Sequence, residues 1–249
     1  NKLKTTKEKL RALLMDLNIE TEFHNDYPDA LILTERANVF LTDAFKDGFF
    51  EVQDASSQLV AYFLDVKPGM RVVDTCAGAG GKTLHLASLM ENKGQLIAMD
   101  LYESKLKQLK IRAKRNGAFN IEPRVIESTK TIKKLHEKAD RVLIDAPCSG
   151  LGVLKRNPDS KWKLQPEFIE NIKKIQAEVL ENYSKIVKPG GKLVYATCSV
   201  LPSENQEQIK QFLSTEIGKE FTFVQDKKVL AHESGFDGFY MALLERKNK

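Results

Sequence analysis

Cysteine is scarce in this 249-residue chain: Cys76, Cys148 and Cys198 are all it has. The count is odd, no two form a CxxC pair, and none has a histidine at metal-ligand spacing. Neither a disulfide framework nor a metal site is indicated. Free thiols fit a reducing compartment, so a cytoplasmic location is expected. Long apolar runs are missing as well. None approaches the roughly 20 residues that cross a bilayer. The first residues, NKLKTTKEKLRALL, lack the unbroken apolar block of a secretory signal. No membrane partner is expected. Tryptophan occurs once, and there is no internal repeat or low-complexity tract.

What is present is ordinary for a globular protein: 42% apolar and 29% charged residues, in a chain long enough for one large domain with an appendage. The net charge of +5 is a mild excess, but it is unevenly spread. Lys105 to Arg115 holds six basic residues and no acid. Lys155 to Lys163 holds four basic residues, one acid and the tryptophan, Trp162. The N-terminal KLKTTKEKLR is basic too. Any one run reads as a solvated helix face. Three together favour a polyanionic partner, whose phosphates Lys and Arg would meet.

Residues 1–48 read as a small α+β subdomain. Leu10, Leu13, Leu14 and Leu17 fall at helical spacing, and two short strand-like pieces, IETEF and ALILT, flank the Tyr27-Pro28-Asp29 turn. The chain opens directly on the approach to a helix, which suggests a larger module upstream. From residue 49 the pattern is regular. FFEVQ is strand-like, and Asp54 can cap the helix ASSQLVAYFLDV. The strands RVVD, QLIAMD, EPRVIES, RVLIDAP and KLVYATCS then alternate with helices, the longest opening at Pro166, where a first-turn proline is tolerated. Lys188 to Gly191, KPGG, reads as a turn. Ser203 to Gln206 matches a capping box and should start a helix. FTFV and FYMALLE can close the sheet as a pair. Residues 49–249 are therefore expected to form a doubly wound, mostly parallel α/β sheet of Rossmann-like type.

The segment RVVDTCAGAGGKT runs strand, glycine loop, helix, the junction where such sheets hold ligands. Gly78, Gly80 and Gly81 allow close backbone approach. The Gly-Lys-Thr ending resembles a P-loop, but the window that ends at Thr83 begins with Cys76 rather than glycine. A GxGxxG fingerprint is also out of register. Asp100, at the end of the next strand, is placed either to accept ribose hydroxyls or to cap a helix. A glycine loop and a strand-end acid without phosphate machinery suit an adenosyl cofactor such as S-adenosylmethionine.

Four segments then belong together: QDASSQLV (Gln53 to Val60), DTCAGAGGKT (Asp74 to Thr83), DAPCSGLGVLKRNPDSKW (Asp145 to Trp162) and YATCSVLPSENQEQI (Tyr195 to Ile209). They resemble the RNA cytosine-5 methyltransferases of the Sun/Fmu type, the bacterial group acting on small-subunit ribosomal RNA. The resemblance runs from Asp26 to Lys247 and implies a class I methyltransferase fold. It implies that Cys76, Ala77, Gly78, Ala79, Gly80, Gly81 and Lys82 line S-adenosylmethionine, with Asp100 on the ribose, Glu127 near the adenine and Asp145 where cofactor and base meet. This chain has Ala79 where the family usually has proline.

The same resemblance makes Cys198 the nucleophile and Cys148 the residue that assists release. Asp145 is expected on the cytosine edge, and Lys82 is expected to position the base. The chemistry explains the need for a thiol. Cytosine carbon 5 is a poor nucleophile until a thiolate adds to carbon 6, which splits one hard step into easier ones. Cys76 reads equally well as a small buried hydrophobe. Asp145-Ala146-Pro147-Cys148 is also similar to the acid-Pro-Pro-aromatic signature of amino-group methyltransferases, but with Cys in the aromatic's place, which favours carbon as the acceptor. The substrate base would have to be unpaired or flipped out. Lys155, Arg156 and Lys161 are placed to meet phosphates, while Trp162 is expected to pack within its loop. A transfer RNA methyltransferase and a catalytically idle RNA-binding protein are the competing readings. A monomer is expected.

Overall fold

The computed structural model describes residues 1–248. Along the chain the elements are α1 (Lys7–Met15), β1 (Thr21–Phe23), β2 (Leu31–Leu33), α2 (Asp43–Lys46), α3 (Ala55–Phe63), β3 (Arg71–Asp74), α4 (Gly81–Leu89), β4 (Gln95–Asp100), α5 (Glu103–Asn116), β5 (Ile121–Val125), α6 (Thr129–Lys133), β6 (Ala139–Asp145), α7 (Ser160–Lys163), α8 (Pro166–Ser184), β7 (Val187–Thr197), α9 (Gln206–Ser214), β8 (Phe221–Val229), α10 (Ala231–Ser234) and β9 (Phe239–Arg246).

Seven strands form one sheet in the order β5-β4-β3-β6-β7-β9-β8. The strands from β3 to β7 run parallel, and β9 inserts antiparallel between β7 and β8. Strand order reverses between β3 and β6, so their carboxyl ends diverge there and leave a crevice, the place where open sheets of this kind bind ligands.

Alternation along each strand sends neighbouring side chains to opposite faces. Val72, Leu96, Ala98, Leu143 and Val194 pack on one side against Leu59 and Val60 of α3, Leu84 and Leu86 of α4, and Leu106 and Leu109 of α5. Val73, Ile97, Val142, Ile144, Leu193 and Tyr195 pack on the other against Ile132 of α6, Leu180 and Tyr183 of α8, and Ile209 and Phe212 of α9. Each fully buried Val, Leu or Ile among them contributes about 1.5–3 kcal/mol. The sheet is therefore wedged between two helical layers.

Helix ends follow the sequence closely. Asp54 accepts the Ser56 N–H at 2.9 Å. Pro166 occupies the first turn of α8. Gly117, at φ +68, stops α5 in the left-handed conformation that glycine reaches without cost. In residues 1–48, β1 and β2 pair antiparallel, and Leu10 and Leu14 of α1 bury against Ala44 together with Phe49 and Phe50 from the next segment. Leu13 and Leu17 face outward.

Two local expectations change. FFEVQ is not a strand: residues 50–54 are irregular. Its Glu51 turns to α5, pairing with Arg112 at 2.8 Å and also with Arg115, so ion pairs rather than a sheet edge hold the segment. KPGG does not end the ladder. Between Ala139 and Arg141 the partner on β7 advances from Val187 to Lys192, so Lys188 to Gly191 bulge out of one continuous strand.

Candidate active site

The glycine loop leaves β3 at Asp74 and is tied down on both sides. Gly78 N–H donates to Asp100 Oδ2 at 2.8 Å, and Tyr102 N–H donates to Asp100 Oδ1 at 2.9 Å. Asp100 thus latches the loop from the end of β4, while Tyr102, not Asp100, occupies the helix N-cap position. Arg112 of α5 donates to the Ala79 carbonyl at 2.8 Å. Gly80 needs its glycine: at φ +92 an added Cβ would stand 2.8 Å from Leu109 Cγ. At Gly78 and Gly81 the same carbon would meet nothing within 4 Å, so the loop presents an open cradle.

Ala77 is buried beneath this loop. Cys76 packs against the core on the α8 side of the sheet. Burial, reinforced by the Asp74 and Asp145 charges, pushes its thiol far up. Cys76 is thus a protonated, packed thiol. Glu127 is exposed just beyond β5, where Ile126 N–H donates to the Asp100 carbonyl at 2.9 Å.

Lys82 and Asp145 meet across the crevice, with Nζ 2.7 Å from Oδ2. The ammonium also lies 4.9 Å from the centroid of the Phe239 ring. These two residues, with Asp74, Cys76, Ala77, Gly81 and Arg156, line a polar cavity of about 230 Å³. Asp74 accepts from Thr83 Oγ1 at 2.7 Å, but its Oδ1 is buried without a partner. Burial raises its carboxyl to about 7. A larger cavity, about 720 Å³, lies between the N-terminal segment and α4, and neither Cys148 nor Cys198 lines it.

The two cysteines meet because their strands are neighbours in register. Asp145 of β6 pairs with Ala196 of β7, and Ala146 N–H donates to the Ala196 carbonyl at 2.8 Å. Three residues beyond Asp145 and two beyond Ala196, the chain presents a cysteine. The sulfurs of Cys148 and Cys198 lie 3.1 Å apart, a hydrogen-bonded pair rather than a disulfide. The bond from Cys148 holds the Cys198 thiol below its ordinary range; burial and Asp145 oppose this, and Lys82 assists it. The same bond, burial and the Glu204 charge push Cys148 up. The pair is therefore asymmetric, with Cys198 the more acidic of the two thiols.

Glu204 is the residue that sequence reasoning misread. Ser203 to Gln206 does not form a capping box: α9 starts after Asn205, whose side chain makes no capping bond. Glu204 is instead fully buried and turned toward the cysteines. Its Oε1 accepts from Ser149 Oγ at 2.5 Å and Ser199 Oγ at 2.6 Å. Its Oε2 accepts from Ser149 N–H and Gln176 Nε2, both at 2.8 Å. A carboxylate offered four donors by its own fold has no reason to reach back to a helix start. The one visible signal was the serine that follows each cysteine.

Around this core three backbones touch. Gly152 N–H donates to the Cys198 carbonyl and Gly238 N–H to the Gly152 carbonyl, each at 2.8 Å. At the rim, Arg156 is anchored to the buried Asp237 at 2.7 Å and Lys155 to the Gly235 carbonyl at 2.9 Å. Trp162 does not pack within its loop; it is 76% exposed, with Lys161 Nζ 4.8 Å from its ring centroid. The loop is fastened by polar anchors and the one-turn α7, which build no apolar floor for an indole.

A family model described as 16S rRNA methyltransferase RsmB/F matches residues 61–245. The chain is 36% identical to the ribosomal RNA small subunit methyltransferase B of Vibrio vulnificus, over 93% of this chain and 55% of that protein. It is 35% identical to the probable ribosomal RNA small subunit methyltransferase B of Bacillus subtilis, over 99% of this chain and 59% of that protein. The crystal structure of PH0851 superposes with a TM-score of 0.93 at 35% identity, covering 98% of this chain and 58% of that one. The chain thus spans a little more than half the length of the curated relatives it matches.

Proposed function

Because this chain belongs to the 16S rRNA methyltransferase RsmB/F family, we propose that it methylates carbon 5 of a cytosine in small-subunit ribosomal RNA, using S-adenosylmethionine. The observation that carries the reading is the asymmetric cysteine pair, whose Cys198 lies near enough to the Lys82–Asp145 ion pair to be influenced by both charges. Residues 1–48 would act as a subdomain seated on a catalytic domain of residues 49–249. A cytoplasmic location follows from such a substrate. Among the described residues no helix is long and apolar enough to cross a membrane.

The loop fits the cofactor. Neither Gly78 nor Gly81 has a protein atom within 4 Å of where a Cβ would stand, which leaves the loop backbone open to close approach by a ligand. Asp100 uses two donors on a carboxylate with about four acceptor sites, which leaves room for ribose hydroxyls. Cys76 to Lys82 would line it, with Glu127 toward the adenine. When bound, S-adenosylmethionine supplies an electrophilic methyl group for carbon 5.

The protein's own residues prepare the base. Cys198 Sγ adds to cytosine carbon 6 and makes carbon 5 electron-rich. Asp145 holds the base edge, and Lys82 fixes that carboxylate through its 2.7 Å contact. Cys148 keeps its proton and donates to Cys198, which stabilises the thiolate before attack and again as it leaves. For release a base, here solvent, takes the carbon 5 proton; the freed electron pair re-forms the carbon 5–carbon 6 double bond and expels the Cys198 sulfur as a thiolate. At the rim, Arg156 and Lys155 would meet phosphates, and Trp162 offers a face for stacking on an unpaired base.

The test is trapping. With S-adenosylmethionine and 5-fluorocytidine-substituted small-subunit RNA, the wild type should form an SDS-stable adduct. Its onset with pH should lie below the ordinary thiol range, because the Cys198 thiolate is the reacting form. Cys198→Ala should form none. Cys148→Ala should accumulate adduct even on ordinary RNA. Bound cofactor without methyl transfer by the wild type would sink the enzyme reading, and equal loss of adduct in both variants would reverse the cysteine roles.

A further inference from the structure

We propose that Glu204 is a positioning residue that locks Cys148 and Cys198 into apposition by gripping the serine beside each of them. The reading of the two cysteines as the catalytic pair is its premise.

The geometry is specific to that task. One carboxylate oxygen takes both hydroxyls, Ser149 from the loop after β6 and Ser199 from the loop after β7. These hydroxyls are themselves 3.2 Å apart. Each serine is covalently next to a cysteine, so the carboxylate sets the spacing of the two Cα positions that carry the thiols. The other oxygen takes the Ser149 N–H, fixing the backbone as well as the side chain. Gln176 of α8 bridges Glu204 Oε2 and the Pro147 carbonyl, at 2.8 and 2.9 Å. The clamp is held in turn: Tyr195 OH donates to the Glu204 carbonyl at 2.8 Å, and Asn205 Nδ2 donates to the Ser199 carbonyl at 2.9 Å. Every partner sits in or beside a loop that bears a cysteine, or on the α8 wall behind it.

The arrangement does electrostatic work too. Glu204 adds negative charge near Cys148, which favours the protonated thiol there and so the donor role toward Cys198. Without the carboxylate, the Ser149 N–H would be buried without an acceptor and the Gln176 amide would keep only the Pro147 carbonyl, so the loops would shift to satisfy them. A displacement of about 1 Å between reacting groups costs about 10²-fold in rate.

The experiment compares Glu204→Gln with Ser149→Ala, Ser199→Ala and the double serine variant in the full chain. The first readout is iodoacetamide labelling of Cys148 and Cys198 across pH, followed by peptide mass spectrometry without RNA or cofactor. In the wild type Cys198 should label at clearly lower pH than Cys148. Glu204→Gln should narrow that gap by about one pH unit. kcat should fall about 10²-fold, while S-adenosylmethionine Kd stays within about twofold. Each serine variant should do part of this, and the double variant should match Glu204→Gln rather than exceed the sum, because all act through one grip. Should Glu204→Gln fail to fold, the serine variants carry the test alone. A labelling gap and kcat unchanged in variants that melt and bind cofactor like the wild type would overturn the proposal. So would a kcat loss that merely tracks the loss of cofactor binding. A wild type that shows the labelling gap but makes no RNA adduct would refute the methyltransferase reading and leave the clamp standing.

Discussion

The glycine loop after β3 and the cysteine loops after β6 and β7 reach the same edge of the sheet but are held there differently. The glycine loop is short and local, fastened mainly by the next strand and helix, through Asp100 and Arg112. Its open side is a backbone surface with room above it. The cysteine loops are held to one another across 50 residues of sequence, through Glu204 and through glycine contacts with no spare volume. A ligand cradle tolerates a little play, since the ligand itself completes the packing. Two sulfurs held 3.1 Å apart from different strands have no such help, and their loops are over-determined.

The largest effect should come from adding one carbon on the cysteine side. At Gly152 a Cβ would stand 2.1 Å from the Gly238 carbonyl oxygen and 2.7 Å from that of Cys198. Both are backbone atoms and cannot swing away. Gly152→Ala should cost on the order of 3 kcal/mol of stability. Thermal melting and the trapping assay should show a lowered midpoint and loss of adduct, with cofactor binding retained. The same change at Gly81 meets no protein atom and should leave the melt unchanged. Equal melting losses in the two variants would erase the contrast between the loops.

A smaller effect is expected on the glycine side. Asp100→Asn keeps one carbonyl oxygen but turns an NH₂ group toward one of two backbone donors, either Gly78 or Tyr102 N–H. Leaving one donor unsatisfied costs about 1–3 kcal/mol locally. Calorimetric titration should show S-adenosylmethionine Kd raised about tenfold, while the labelling gap between Cys148 and Cys198 stays as in the wild type. A change in that gap would mean that the two halves of the site are coupled.

The same contrast explains what could be read without a structure. The glycine loop, the strand-end acids and the alternation of strands and helices are runs of neighbouring residues, so their spacing shows directly. Cys148 and Cys198 were visible as strand-end thiols because β6 and β7 are themselves legible. Glu204 was not. Ser203 to Gln206 satisfies a local capping pattern, and only the parallel pairing of β6 with β7 makes the tertiary donors Ser149 and Ser199 available. The FFEVQ segment failed for a related reason. Its alternation fits a strand, but Glu51 finds Arg112 and Arg115 on α5 before its backbone finds a partner. Trp162 failed the other way, since an apolar ring predicts burial only if the fold builds a floor beneath it.

The smallest effect is predicted at Ala79, where the resemblance read from the sequence implies a proline. Gly80 N–H donates to the Ala77 carbonyl at 2.9 Å, so Gly78 and Ala79 form the middle of a turn. Among the described residues the Ala79 N–H finds no acceptor, so proline would remove no bond. Its carbonyl would still accept from Arg112. Proline fixes φ and reduces the freedom of the unfolded chain, which is worth about 0.4–1 kcal/mol where the backbone already fits. Ala79→Pro should therefore raise the melting midpoint by about 1–4 °C and tighten S-adenosylmethionine binding slightly, with kcat unchanged. The risk lies at Gly78, whose φ of +54 precedes the new ring. Proline restricts the residue before it. A lowered midpoint would show that Gly78 cannot hold this conformation ahead of proline, and that the loop here has a shape of its own that alanine permits.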